Sequence, residues 1–511
     1  MNTWTSGYVA DIGYTFGYYN ELNPNRATLA FLSGGYVPPT LGVHCELGFG
    51  QGLSVNIHAS SSGSSWYAND FNPSQASFAQ SLASASGADA HLTDEAFADF
   101  CKRSDLPDFD SIGLHGIWSW ISDENRATIV DFIRRKLKVG GALYISYNTQ
   151  PGWAAFAPMR HLMTEHASVM GSPGKGVVSR VDGALDFAQK LLDTNPQFAR
   201  SNPGIAERLK KTAAQDRHYL AHEYFNKDWH PMHFATMNEW LTPAKLDFAC
   251  SAHFFDHVDA VNLTAEQQAL LKEIPDASFK QTVRDFMVNQ QFRKDYWVKG
   301  ARKLSAIEQT ERIKHQQVVF INSREDVSLK ITASVGEVTL SEAIYLPILD
   351  LISDHKVRSI EEIASGVKSK DITFAQVTQA LLVLIGAGHL ASVQAQERIA
   401  NAKKTSNKLN LVLLDKARSS TEISFLASPV TGGGIAVNRF QQLFLLSKHQ
   451  GHKLPAEWAQ SAWEVLAAQG QRLVKDGSAI ESAEDNLKEL TKQAEEFATK
   501  RLPILKSLEI V

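Results

Sequence analysis

Cysteine is scarce in this chain of 511 residues: Cys45, Cys101 and Cys250 are the three present, far apart and without a C-x-x-C pair. That excludes a disulfide framework and offers no zinc-ligand spacing, so no metal site is expected and the thiols are read as reduced. Long apolar runs are missing as well. No stretch approaches the roughly twenty residues that a membrane span needs, and the chain does not open on a basic segment followed by an apolar one. A cytoplasmic protein without a membrane span is the expectation. Neither sign of charge dominates, with 51 Lys and Arg against 55 Asp and Glu for a formal net charge of −4. Such a balance gives no strongly basic surface, and nucleic acid is not an expected partner.

What the chain does have is length and apolar content. A hydrophobic share of 44% over this length can bury several cores, and the usual domain size divides it into about three or four. The most informative stretch is Gly42-Val43-His44-Cys45-Glu46-Leu47-Gly48-Phe49-Gly50-Gln51-Gly52, a short strand running into a turn of three alternating glycines. Glycine takes positive φ freely and lets a ligand approach the backbone, as a nucleoside-binding turn requires. About twenty residues further on, where the second strand of such a unit presents an acid to a ribose, stands Asp70 in Trp66-Tyr67-Ala68-Asn69-Asp70-Phe71. A pyrophosphate binder would place a third glycine where this chain has Leu53, and would not place Glu46 ahead of the turn. A carboxylate repels a pyrophosphate but stabilises an ammonium or a sulfonium, so the acid argues for S-adenosylmethionine over a dinucleotide.

The segments that follow repeat one plan. Ala88-Asp89-Ala90-His91-Leu92 reads as a third strand ending at Thr93-Asp94-Glu95, with Asp94 placed to accept from an adenine amino group. Phe109 to His115 reads as a fourth strand, and the stretch from Asp123 to Leu137 as a helix. Ala142-Leu143-Tyr144-Ile145-Ser146-Tyr147 reads as a fifth strand after the turn Lys138-Val139-Gly140-Gly141. Alternating strands and helices predict a mainly parallel, Rossmann-like α/β sheet covered on both faces, with ligands at the carboxyl ends of the strands.

With these segments in place, the chain resembles the class I S-adenosylmethionine-dependent methyltransferases, Glu46 to Gly52 matching their first motif. His115-Gly116-Ile117-Trp118-Ser119-Trp120 and Tyr147-Asn148-Thr149-Gln150-Pro151-Gly152-Trp153 resemble more narrowly the group carrying a methyltransferase regulatory domain. That group includes the rickettsial protein-lysine methyltransferases that act on outer-membrane proteins. The aromatic lead-in Tyr14 to Tyr19 and the segment Asn23 to Leu29 also match, with Asn23 where the family more often has His. Tyr219 to Phe225, Pro231 to Phe234 and Thr282 to Arg293 resemble the regulatory domain, the last of these its closing helix.

The resemblance implies S-adenosyl-L-methionine as cofactor, held by Glu46, Gly48, Phe49, Gly50, Asp70, Phe71, Asp94, Glu95 and His115. It also implies a protein acceptor, an outer-membrane or surface protein met before export, methylated on lysine amines. A lysine must lose a proton before it can attack, and an aromatic pocket lowers its pKa. The catalytic candidates are His115, Tyr147, Trp118 and Tyr18, with Tyr14 and Trp153 as further aromatic candidates. For His115, shaping the turn after the fourth strand stands level with a place beside the cofactor or a role as proton acceptor. The chain lacks the Asp/Asn-Pro-Pro-aromatic motif of methyltransferases that act on nucleic-acid amines. A small-molecule or polysaccharide methyltransferase shares the same first domain, and a non-catalytic cofactor-sensing interaction protein is the alternative from another class.

The expected domains are a methyltransferase domain over 1–165, a helical and substrate-facing middle domain over 166–308, a winged-helix-like domain over 309–400 and a helical domain over 401–511. The Ser-rich stretch from Ala59 to Ser65 reads as a loop inside the first of them. Nothing in the sequence sets an oligomeric state.

Overall fold

The computed structural model describes residues 12–511 except Asp476, and the first eleven residues of the expected first domain lie outside the described residues. Five strands follow the expected order: Val43–Leu47 (β1), Ser65–Asn69 (β2), Ala90–Thr93 (β3), Phe109–Leu114 (β4) and Leu137–Asn148 (β5). β5 starts earlier than its apolar segment, because Leu137 already pairs with Phe109. Leu246–Ser251 (β6) and Phe292–Lys299 (β7) complete a seven-stranded sheet of order β3-β2-β1-β4-β5-β7-β6. The first five strands pair in parallel, and β7 runs antiparallel between β5 and β6.

The register places Ala68, Glu46, Gly113, Tyr144 and Tyr296 in one row across the sheet, so the four side chains of that row lie on the same face. Pro24–Ser33 (α1), Leu53–Ser62 (α2) and Pro73–Ser86 (α3) cover that face. The helix Asp123–Lys136 covers the other, against Leu143, Ile145 and Tyr147. The crevice expected of this topology lies where β1 and β4, neighbours in space, send their chains to opposite sides.

The division expected at residue 165 does not hold for the sheet. Its last two strands come from residues 246–299, inside the expected middle domain. Residues 149–245 leave after β5 and return with β6, and their helices Ala157–Val169, Gly176–Asp193, Ile205–Ala213 and Arg217–Tyr224 share a core around Phe156, Val181, Leu209 and Leu220. The segment expected as a closing helix up to Arg293 breaks: the helix ends at Met287, Asn289 turns at φ 48°, and Phe292 opens β7. Buried on both faces as an inner strand must be, β7 shows an unbroken run from Asp295 to Val298.

Residues 309–400 carry the helices Glu342–Ile352, Ile360–Val367 and Phe374–Gly386 with a three-stranded antiparallel sheet. The outline is winged-helix-like, with the middle strand, Gln317–Phe320, drawn from ahead of the first of those helices. The boundary expected at 400 falls within the long helix Gln396–Lys416, which packs against α2 and α3. The C-terminal region also holds a hairpin, Phe425–Ser428 with Gly433–Ala436.

The Ser-rich stretch is not a loop. It forms the last turn of α2, a left-handed Gly63 that ends the helix (φ 61°) and the start of β2. Every residue of α2 is buried, as befits a helix without a polar face. Its serines satisfy and expose backbone at once: Ser61 Oγ donates to the Ile57 carbonyl at 2.6 Å, while the Ser60 carbonyl accepts from Thr405 Oγ1 at 2.7 Å and Ser406 Oγ at 3.0 Å of the long helix. Small side chains permit that approach. Ser406→Leu should therefore lower stability by about 1–3 kcal/mol through overpacking, read as a drop in the urea midpoint. Ser60→Ala, which removes a buried hydroxyl without a partner, should leave the midpoint unchanged or raise it.

Candidate functional site

At the end of β1 the chain turns through Gly48, Gly50 and Gly52 at φ 73°, 58° and 71°, values that only glycine takes without strain. Gly48 and Phe49 donate to the Asn69 carbonyl at 2.8 and 3.1 Å, which ties the turn to the end of β2. A Cβ on Gly52 would come within 2.3 Å of the Ala79 Cβ, so glycine is also required there for α2 to lie against α3. Asp70 follows β2 and reaches back: Oδ2 accepts from the Gly50 amide at 2.9 Å and Oδ1 from the Asn72 amide at 3.0 Å. Burial pushes its carboxyl up to about 6, against the pull of those two amides.

Glu46 stands one residue before the end of β1, 2% exposed, and its Oε2 has no hydrogen-bond partner. Burial first, and then the charge of Asp70, push its carboxyl up to about 8. A buried acid without a partner is costly unless a cationic group meets it. Phe71 is half-buried beside Asp70, and Asp94 is exposed just past the end of β3. The Glu95 carboxylate turns to Arg103 at 3.0 Å while its carbonyl accepts from Asn69 Nδ2 at 2.8 Å. The residues expected from the glycine turn and from the ends of β1, β2 and β3 are thus brought to one rim.

His115 closes β4. Its Nδ1 lies 2.8 Å from Tyr144 Oη, and Tyr19 stacks on the ring at a centroid distance of 3.6 Å. Burial brings its pKa down to about 3, so the imidazole is neutral and a weak base at pH 7. Gly116 then turns at φ 63°, its amide donating to Ser146 Oγ at 2.8 Å. The geometry suits a residue that shapes the crevice more than one that takes a proton.

Four other expected aromatic residues are placed elsewhere. Tyr18 packs against His58 and Phe425, at centroid distances of 5.1 and 5.0 Å, on the C-terminal hairpin. The lead-in is extended at Tyr19, so neighbouring side chains point to opposite sides, and Tyr19, not the catalytic candidate Tyr18, stands beside His115. Tyr147 is wholly buried on the opposite face of the sheet, donating to Asp295 Oδ2 at 2.9 Å. Asp295 in turn accepts from Arg293, which also pairs with Asp285. Trp118 is wholly buried beside Arg126 and Trp240, and its carbonyl accepts twice from the Arg126 guanidinium. Trp153 belongs to the core of the inserted helices, with Nε1 bonded to Asn148 Oδ1 at 3.0 Å. Asn23 caps α1 through the Asn25 amide and donates to the Thr431 carbonyl at 3.1 Å, a structural role.

Tyr19 had no signal of its own among the lead-in aromatics. Glu223, also unforeseen, accepts from Tyr14 Oη at 3.0 Å, a contact across 209 residues that local pattern cannot reveal.

The description of a family, the predicted methyltransferase regulatory domain, matches residues 216–299, which hold β6, β7 and the Glu223 helix. The uncharacterized protein sll1526 of Synechocystis is 39% identical over 99% of this chain and 100% of its own length. The protein RP789 of Rickettsia prowazekii is 26% identical over 43% of this chain and 40% of its own. Among solved structures, PKMT2 from Rickettsia typhi in complex with AdoHcy superposes with a TM-score of 0.71 at 17% identity, over 97% of this chain and 100% of that one. The likeness in fold therefore extends past the sheet to the helical remainder.

The raised acid carries a sign that can be tested. Glu46 holds its proton more tightly in the folded chain, about 8 against 4.5. The ligand-free protein should then lose stability as pH rises from about 5 to about 8. Glu46→Gln removes that loss, so at about pH 8.5 the variant should be the more stable by on the order of 2–4 kcal/mol, with the difference closing toward pH 4.5. Urea midpoints across this range measure it, and an unchanged pH slope in the variant would refute the assignment.

Proposed function

We propose that this chain, which belongs to one family with sll1526 over its full length and matches the methyltransferase regulatory domain over residues 216–299, is a class I methyltransferase that transfers methyl groups from S-adenosylmethionine to lysine side chains of a protein. The observation that carries the cofactor is the partnerless Glu46 carboxylate, 2% exposed beside a left-handed glycine turn. When bound there, S-adenosylmethionine supplies a methyl group already activated on a positively charged sulfur. Glu46 offers the negative charge that such a cation needs in a dry site. Gly48, Phe49 and Gly50 offer backbone, Asp70 offers carboxylate oxygens already oriented by two amides, and Phe71, Asp94 and Glu95 form the rim assigned to the adenine.

With the electrophile supplied, the protein must align the acceptor and leave it a lone pair. A lysine ammonium, with an ordinary pKa near 10.4, loses its proton more readily when desolvated among aromatic rings. Tyr14 and Tyr19 provide rings between the glycine turn and His115. His115 holds Tyr19 in place from a neutral ring. Tyr147, Trp118 and Tyr18 support the two faces of the sheet and are not assigned to the reacting atoms. The lysine acceptor, an envelope or surface protein met in the cytoplasm before export, is supported by the resemblance in the His115 and Tyr147 segments. Among the described residues no helix is long and apolar enough to cross a membrane, and the near-balanced charge does not favour a nucleic-acid acceptor.

Incubation with methyl-labelled S-adenosylmethionine and a bacterial cell-envelope protein fraction should place the label on lysines, read by mass spectrometry. Label confined to small molecules or glycans would refute the protein acceptor. Asp70→Ala should weaken cofactor binding in calorimetry at least tenfold, or about 1.4 kcal/mol; unchanged affinity would remove the ribose assignment.

A further inference from the structure

Glu223 lies on the helix Arg217–Tyr224 of the inserted region and reaches the first domain at two points. Its Oε1 accepts from Tyr14 Oη at 3.0 Å, and its backbone carbonyl from Trp120 Nε1 at 3.2 Å. Tyr14 lies over the glycine turn: its carbonyl accepts from Gln51 Nε2 at 3.0 Å, and its ring edge is 3.7 Å from where a Cβ of Gly50 would be. Trp120 belongs to the segment after β4. The carboxyl is thereby held over the crevice between the ends of β1 and β4.

Two further phenols share its surroundings. Tyr19, stacked on His115, feels the charges of Glu223 and of Glu46, so it lies within reach of both carboxylates. Tyr219, one turn back on the same helix, feels Glu223 and Tyr19. Burial pushes the Glu223 carboxyl up to about 7, and the Tyr14 hydroxyl is the group that pulls against it; among the described residues no cation does so. An acid walled by tyrosines, without a basic partner and close to the proposed methyl-donor site, is matched by a mobile cation supplied from outside.

We propose that Glu223, with Tyr14, Tyr19 and Tyr219 around it, is the seat of the acceptor amine, and that the inserted region selects a lysine through this carboxylate. The assignment rests on the function proposed above and names the group that meets its substrate. The ammonium donates to the carboxylate, then passes it one proton. An N–H bond breaks, an O–H bond forms, and the positive and negative charges give a neutral amine and a neutral acid. The amine keeps the electron pair of the broken bond, which is the lone pair that methylation requires. The same burial that raises the acid lowers the amine, which narrows the gap across which the proton moves.

The test uses the full chain saturated with S-adenosylhomocysteine and n-butylammonium chloride as the lysine probe, followed by saturation-transfer-difference NMR. The probe should show transfer from the wild type, and Glu223→Gln should cut it at least fivefold while calorimetry finds the S-adenosylhomocysteine Kd within twofold of wild type. An undiminished probe signal in that variant would overturn the proposal, as would a tenfold loss of S-adenosylhomocysteine affinity, which would make Glu223 part of the cofactor site. If Glu223→Gln folds poorly, the wild type decides with n-butanol, a neutral probe of the same chain length: its transfer should be at least fivefold weaker than that of n-butylammonium, and equal transfer would refute the seat. The two readings separate cleanly. Probe binding that depends on Glu223 together with methyl label on a residue other than lysine overturns the proposed substrate and leaves a cation seat standing. Lysine label undiminished in Glu223→Gln overturns the seat alone.

Discussion

The pairing of β5 with β7 is the constraint on which the remainder depends. Seven residues of β5, from Ala142 to Asn148, pair antiparallel with Val298 to Phe292, so the chain that leaves the sheet at Asn148 must come back to the same edge. The inserted residues 150–231 are anchored at both ends at the carboxyl side of the central strands, because the Met232 amide donates to the Asn148 carbonyl and its carbonyl accepts from the Gln150 amide, and their helices lie beside the crevice. That is why a carboxylate numbered 223 can bond to a tyrosine numbered 14. The buried ion network of Arg293, Asp285 and Asp295, with Tyr147 donating into it, braces the same junction from the far face of the sheet. Removing one partner of such a network strands a charge in the interior, which accounts for Tyr147 as a structural residue.

A second dependence runs through α2. The helix that begins right after the glycine turn is buried along its whole length, between the sheet and the C-terminal region. Its serines are small enough for the long helix to approach, and the Thr405 and Ser406 hydroxyls of that helix satisfy the Ser60 carbonyl. The C-terminal region is therefore part of what holds the turn in place. Arg398 adds to this by donating to the Ser62 carbonyl and to Ser64 Oγ.

Charge gives the crevice its character. Glu46, Asp70 and Glu223 are all pushed up by burial, to about 8, 6 and 7, and His115 is pushed down to about 3. Each shift disfavours the charged form in the absence of a ligand. A site with several acids held in this way is poised for cations, and the proposed methyl donor and acceptor amine are two such cations. Acids and phenols line the crevice with a neutral imidazole, and Lys294, the cation whose charge reaches His115, is paired with Glu21.

Local pattern determined the glycine turn, the acid about twenty residues beyond it, and the first five strands in order, because each depends on residues close in sequence and on the backbone freedom of glycine. It also argued from Glu46 for a cationic ligand, since a carboxylate beside a pyrophosphate is unfavourable. Only the tertiary structure decided which aromatic residues surround the site. Tyr18 and Tyr19 are neighbours with the same chemistry, and only the direction of an extended backbone puts Tyr19 on His115 and Tyr18 on the hairpin. Trp118 and Tyr147 sit in promising motifs, yet Tyr147 falls on the far face of the sheet and Trp118, in the short helix after β4, is buried beside Arg126 and Trp240. β6, β7 and Glu223 arrive from far along the chain, and Ser60 to Ser62 become helix because a second helix lies against them. Sequence distance hides contacts of this kind; packing makes them.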